Sequence, residues 1–343
     1  SFISFAEEVK KYIFNSNEKF IKWGAENNLP FKMLDMYDSV PEHGSSINFL
    51  EANTVGDGLE DPTILDYWSL KKLILDYYIF GGFMIKINKL RNGNSTYEYI
   101  DISKCRFNPD KTKVGYAEDW TKYKVELTWY DLVESADKAK GECIYYFKNN
   151  KSREVYPRPH YLTAFRSIET AEAMGQYHNS NAKNGFTPST IINFNNGQPD
   201  DDTKAQIHKD FKENFTGPNA SRFLLTFNDT KEAETTISKL DNDNLDQKFA
   251  DLQKWIQNQI IMSHQITSGQ LIGVRPENQG FSKTEYTEAM EIFLNVVIKG
   301  FRNEIEYALG KLTGKTVKIK ESDSIDEPES TEEVTENNDT NTL

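Results

Sequence analysis

Two stretches with helical periodicity, one ending near His264 and the other starting at Ser282, are joined by seventeen residues, QITSGQLIGVRPENQGF; no other feature constrains the chain as strongly. Upstream of the link, Leu245, Phe249, Leu252, Ile256 and Ile260 recur every three or four residues. Downstream, Tyr286, Ala289, Phe293, Val297, Phe301 and Ile305 line one side of a second helix, and Ser282 with Glu285 has capping-box spacing at its start. The link holds Gly269, Gly273 and Gly280, a proline and almost no charge, so its backbone is free to bend. Loops of this length inside a packed chain are often functional, the alternative being an ordinary flexible connection.

The rest of the chain reads as α+β. Up to Phe80 it is helical in short pieces, among them FAEEVKKYI, PFKMLDMYDSV, PEHGSSINFLEANTV and ILDYWSLKKLILDYYIF, the last stopped by Gly81 and Gly82. FMIKINKL and STYEYIDI flank an RNGN turn and predict a hairpin; KCRFNPD, VGYAED, YKVELTWY and ECIYYFKN supply further strands. After YPRPHY comes a long helix whose far half is small and polar. Strands at 189 to 195 and 222 to 228, with an amphipathic helix between them, predict a small αβ module set between long helices. The aromatics Trp68, Tyr77, Tyr78 and Phe80 read as core, as aromatic stripes at helical spacing usually are.

Charge distribution matters more than its sum. The net charge is −13, but residues 321 to 343 carry nine acidic and no basic side chains, leaving 44 acidic against 40 basic in the body. That tail is too polar to bury surface that would offset ordering, and disorder is expected there. Cys105 and Cys143 are far from CxxC spacing, which points away from a disulfide framework or zinc site and toward a reducing compartment. No run reaches about 18 apolar residues, so no membrane span is expected. Sequence motifs for nucleotide binding, zinc proteolysis or a nucleophile elbow are missing, and Lys and Arg form no basic block. His43, His160, His178, His208 and His264 are scattered, each read as an exposed or hydrogen-bonded side chain. No catalytic residue, cofactor or metal is expected.

Six strings in order, WGAENNLP (23 to 30), HGSSINFLEANTVGDGL (43 to 59), YPRPHY (156 to 161), NGFTPSTIINFNNG (184 to 197), FTGPNASRFLLTF (215 to 227) and QIIMSHQITSGQLIGVRPENQGFSKTE (259 to 285), give the chain a resemblance to the portal proteins of tailed bacteriophages. The resemblance implies a portal fold: a mixed α/β wing (1–156), a first stem helix (157–183), a small αβ clip (184–230), a second stem helix (231–264), a tunnel loop (265–281), a long helix (282–312), and here an acidic tail (313–343). It implies a homo-oligomeric ring, of twelve subunits in this family, at one capsid vertex of the virion, assembled in the host cytoplasm. Double-stranded DNA passes through such a ring during packaging and ejection. The implied partners are the terminase large subunit, a head-tail adaptor and the major capsid protein, with no membrane.

On this sequence the DNA channel falls to Ser268, Gly269, Gln270, Gly273, Arg275, Asn278, Gln279 and Gly280, held to the duplex through weak, non-specific contacts. Arg275 reads equally as a transient phosphate contact or an intersubunit ion-pair partner. Partner docking falls to Asn195, Asn196, Gln198, Asp200 and Asp201 of the clip, although a solvated turn entering a helix cap explains the same residues. Two rival readings are another phage ring or adaptor protein and an acidic α+β hydrolase built from dispersed carboxylates.

Overall fold

The computed structural model describes residues 19–120, 125–149, 154–184, 190–194, 200–203, 206, 209, 223–227, 245–274 and 282–321. Helices α1 (Leu29–Ser39) and α2 (Pro41–Val55) each carry a proline in the first turn, where its missing N–H costs nothing. Helix α3 (Tyr67–Phe80) is capped by Asp66, whose side chain accepts from the Trp68 and Ser69 N–H groups. It stops at Gly81, which takes the left-handed conformation at φ 88°.

A six-stranded sheet comes next, in the order β2 (Ser95–Ile100), β1 (Gly82–Lys89), β6 (Glu142–Lys148), β5 (Thr128–Val133), β4 (Lys113–Tyr116), β3 (Cys105–Phe107). The predicted β1–β2 hairpin is present, with Ile85 opposite Tyr99, and only the β5–β6 pair is parallel. Phe83, Met84, Ile85 and Ile87 of β1 are all fully buried, so the strand reads as a nearly continuous apolar run. Tyr77, Tyr78 and Phe80 of α3 belong to this core, whereas Trp68 at the start of the same helix is 67% exposed.

Two sequence strings are explained by contacts inside this half. Gly81 abuts the YPRPHY segment so closely that an added Cβ would lie 2.0 Å from the Arg158 carbonyl oxygen. The WGAENNLP string houses Arg106, which is fully buried with no carboxylate bound to it among the described residues. Its guanidinium donates to Asn27 Oδ1 (2.5 Å), the Asn27 carbonyl (3.1 Å), and the Ser103 and Cys105 carbonyls (2.7 Å each). Its centre lies 4.7 Å from the Trp120 ring and 5.6 Å from the Trp23 ring. Neutral acceptors and aromatic faces thus replace water around the cation, and burial pulls its pKa down to about 10, still charged at neutral pH.

Helices α4 (Phe165–Asn184) and α5 (Leu245–Ser263) pack against each other, with Tyr177 stacked on Phe249 at 6.0 Å. Between them in sequence, β7 (Thr190–Phe194) and β8 (Phe223–Phe227) pair in parallel as a separate two-stranded sheet. The last long element is α6 (Lys283–Ile292), a π-helical segment (Phe293–Ile298) and α7 (Lys299–Thr313), running on without a break. The sequence explains the π segment. Ala289, Phe293, Val297, Phe301 and Ile305 advance by four residues at each step, which overruns a 3.6-residue turn by about 40° each time. Wider i→i+5 turns return the stripe to one side. Past that point Ile305, Ala308, Leu309 and Leu312 are buried at ordinary helical spacing.

Helix α7 is bound to the sheet half: Tyr145 donates to the Ala308 carbonyl, Tyr77 to Glu304, and Arg302 to the Asn53 and Thr54 carbonyls. Of the segment 313–343, the described part runs to Glu321 and is folded back. Leu59 and Ile319 form an antiparallel bridge, flanked by bonds from Asp57 N to Lys320 O and from Glu60 N to Lys318 O, and Val317 and Ile319 are buried. The acidic residues beyond Glu321 lie outside the described residues.

Candidate functional site

The segment 265–281 begins at a helix end made of local hydrogen bonds. Gln265 takes the left-handed conformation at φ 60°, its N–H donates to Met262 O (3.0 Å), and the Ile266 N–H reaches back to Ile261 O (3.3 Å). This is a Schellman motif, completed by the burial of Ile261 and Ile266, with glutamine where glycine is usual.

Beyond Ile266 the chain forms a tight structured turn. Ser268 Oγ accepts from the Gln270 N–H, Gly269–Ile272 form one 3₁₀ turn, and Gly273 closes it at φ 86°. Leu271 is buried, Thr267 Oγ1 donates to the Ala289 carbonyl of α6 (2.9 Å), and the Val274 N–H donates to Gly269 O. Gln270 Oε1 is a buried acceptor with no donor among the described residues. Ser268, Gly269, Gln270 and Gly273 are therefore brought together against α2 and α6, in a more ordered arrangement than the glycine content suggests. Arg275, Asn278, Gln279 and Gly280 lie outside the described residues. At the far end, Ser282 Oγ accepts from the Glu285 N–H, the cap expected from the spacing.

From Trp255 through Val274 the sequence contains no Asp, Glu, Lys or Arg. This uncharged run covers the second half of α5 and the structured part of the loop, so nothing there could grip a phosphate through an ion pair. Of the residues expected to dock a partner, Asp200 and Asp201 are exposed, and Asp200 Oδ1 accepts from the Thr203 N–H (2.7 Å), which holds its carboxyl below the usual range. Asn195, Asn196 and Gln198 lie outside the described residues.

The long helices carry large apolar side chains in water. On α5, Leu252, Trp255 and Met262 share a face beside the one packed on α4, with Trp255 57% and Met262 64% exposed. Ile292, just before the π segment, is 54% exposed and Val296, within it, 69% exposed, although their neighbours Phe293 and Val297 are buried.

Sequence spacing missed one cluster. His43 Nδ1 and His264 Nε2 are 2.9 Å apart, His264 Nδ1 and His160 Nε2 are 2.9 Å apart, and all three rings are buried. Burial pushes His43 down to about 3, and burial together with the two neighbouring imidazoles holds His264 well below the ordinary histidine range. The three residues come from segments more than a hundred positions apart, and no local pattern could have joined them. His178 is exposed, and His208 lies outside the described residues. Among the described residues no group of three or more His, Cys, Asp or Glu side chains is arranged to hold a metal ion, and no helix is long and apolar enough to cross a membrane.

Comparison with known proteins agrees with this geometry. None of the curated proteins matches the chain in sequence. In fold it is similar to a chain of the virion of a native gene transfer agent (GTA) particle, with 12% identity and a TM-score of 0.54, covering 92% of this chain and 86% of that one. It is also similar to a chain of the neck of the native GTA particle computed with C12 symmetry, with 12% identity, a TM-score of 0.52 and the same coverage. The architecture is thus one shared with a chain of the GTA virion and one of its neck. The model of the phage portal protein family matches residues 63–324, well over half of the sequence, and the chain belongs to that family. It is a portal protein, a virion structural component of a non-enzymatic class.

Proposed function

We propose that copies of this chain close into a ring at one vertex of a capsid, through which double-stranded DNA is packaged and later ejected. The observation that carries this reading is the set of large apolar side chains left in water on the long helices, Trp255 and Met262 on α5, Ile292 just before the π segment and Val296 within it. A second copy would cover it, and a head-to-tail ring needs two different faces on each subunit. The neck to which the fold is similar was computed with C12 symmetry, which supports a ring of about that size.

In this reading α4 and α5 form the stem, residues 184–230 the clip, and residues 265–281 the tunnel loop around the duplex. The uncharged run from Trp255 to Val274 suits a surface that DNA must slide past, because each neutralised phosphate adds affinity and a ring multiplies every contact. Gln270, Asn278 and Gln279 would supply exchangeable polar contacts, and Arg275 the one cation of the loop. The clip, with Asp200 and Asp201 exposed, would meet the terminase large subunit during filling and the head-tail adaptor afterwards. The sheet half would face the major capsid protein. With no nucleotide-binding motif in the chain, energy for translocation would come from the partner motor.

Deleting Ser268 to Gly280 tests the loop assignment. Ring assembly should persist while DNA filling or retention of particles falls; normal filling by the deletion variant would remove the loop from the channel.

A further inference from the structure

The chain of imidazoles His43, His264 and His160 crosses the point where three parts of the molecule meet: α2, the segment leading into α4, and the last turn of α5. His264 commits both ring nitrogens to it, so its ring cannot swing away without breaking two buried hydrogen bonds. Each neutral imidazole carries one N–H, and three in a row must therefore all point the same way. His43 Nε2 is buried with no partner among the described residues. A bare lone pair there is tolerated better than a bare N–H. That choice makes His43 donate through Nδ1 to His264 Nε2, and His264 donate through Nδ1 to His160 Nε2.

The loop begins one residue later. Gln265 turns the chain, Ile266 is buried, and Thr267 is bonded to α6, so the loop is held at its first residues by the histidine chain on one side and α6 on the other. We infer that His264 is the positioning residue of the tunnel loop, tying its first residues through His43 and His160 to the sheet-bearing half of the molecule. The inference rests on the reading of 265–281 as that loop. Its consequence is that the loop follows the sheet half when the long helices shift.

The surroundings make this joint sensitive to acid. Tyr161 lies against all three rings, with centroids 4.4 Å from His43 and 5.2 Å from both His160 and His264; Tyr78 and Phe301 lie 5.7 Å from His160. The Tyr161 hydroxyl is bonded to the Ile79 carbonyl and the Tyr78 hydroxyl to Thr54, and burial pushes both phenols well up. The charged groups of the adjoining elements, Glu51 on α2 with Arg302 and Glu304 on α7, act on Tyr78, while the groups acting on His264 are the other two histidines. A proton added to His264 is thus opposed both by burial and by its two imidazole neighbours.

Hydrogen exchange on the purified full-length protein tests the joint, comparing wild type with His264→Leu and His264→Gln, the latter keeping one donor and one acceptor. In His264→Leu, exchange of peptides spanning 265–274 should rise by about tenfold or more, the effect of stranding buried polar groups, while His264→Gln stays within about threefold of wild type. Peptides spanning 82–89 and 142–148 should be unchanged. Lowering the pH from about 7 to about 5, after division by the intrinsic chemical rate, should speed exchange of 265–274 more in wild type than in His264→Gln, where buried His43 is still there to be charged, an arm that stands even if His264→Leu does not fold. A uniform rise across all peptides in His264→Leu, no rise at 265–274, or an acid response in His264→Gln equal to that of wild type would overturn the inference. No ring or DNA enters this measurement, so a chain that forms no rings yet shows the coupling refutes the portal reading alone, and rings without the coupling refute the joint alone.

Discussion

The sheet-bearing half and the long helices treat large apolar side chains in opposite ways. In β1, Phe83, Met84, Ile85 and Ile87 are all fully buried, and even Arg106 nearby is sealed between Trp23 and Trp120. On α5, just before the π segment and within it, Trp255, Met262, Ile292 and Val296 are more than half exposed. In the sheet half Trp68, 67% exposed, is the exception, whereas on the long helices such side chains recur, and in the proposed ring a neighbour would cover them. The difference teaches that fold and assembly are encoded in separate residues, so that each can be broken while the other is kept.

The sharpest break in the sheet half is Gly81→Ala. A Cβ there lies 2.0 Å from the Arg158 carbonyl oxygen at φ 88°, so the backbone must shift, and a loss of about 3 kcal/mol or more is expected in denaturant unfolding. Gly93→Ala is the control: its φ of 86° carries the same backbone strain with no atom near the new carbon, and about 1 kcal/mol is expected.

Acid separates two buried sites next. His43 and His264 have folded pKa values lowered by burial, so the stability they contribute is present above the ordinary histidine pKa near 6.5 and is lost as pH falls from there toward about 3. Each contributes a slope of up to about 1.4 kcal/mol per pH unit. Asp76 in the sheet half runs the other way. Buried, and accepting from Tyr99 OH and the Ile102 N–H, it has a raised pKa, and the stability it contributes is present below the ordinary aspartate range and lost as pH rises. Asp76→Asn should therefore steepen the loss of stability between about pH 6.5 and 4, and His264→Gln should flatten it. Equal profiles in the two variants would contradict the opposed signs.

A smaller effect is expected at the end of α5. Gln265→Gly removes the left-handed strain at φ 60° and should raise stability by about 0.5–1 kcal/mol, read from the unfolding midpoint. The smallest change in monomer stability is expected for Trp255→Glu and Val296→Glu, within about 0.5 kcal/mol because both side chains are in water, yet each should abolish assembly beyond the monomer in mass photometry. Intact assemblies in both variants would show that these exposed apolar side chains are not the contact surface.

Much of this was legible in the sequence because the signals are local. The β1–β2 hairpin, the Gly81 stop of α3 and the Ser282 cap follow from residues within a few positions of each other. Even the π segment is written in the four-residue steps from Ala289 to Ile305, a spacing easily taken for an ordinary amphipathic stripe. The Schellman end of α5 was hidden because Gln265 stands where glycine would announce it. Arg106 and the three histidines were not legible for a different reason: their partners arrive by tertiary folding, and Asn27 or His264 carries no mark of that role in its neighbours. In the segment 265–281 the glycines suggested a looser link than the capped turn at Ser268 to Gly273.

The central claim, that many copies of this chain enclose a duplex with the segment 265–281 turned toward it, is tested most directly by electron cryomicroscopy of the purified assembly. The account predicts a closed ring with a central hole of duplex width, lined by 265–281, with Trp255 and Val296 at the subunit contacts. Rings whose outer rim carries 265–281, or particles that are only monomers, would contradict it.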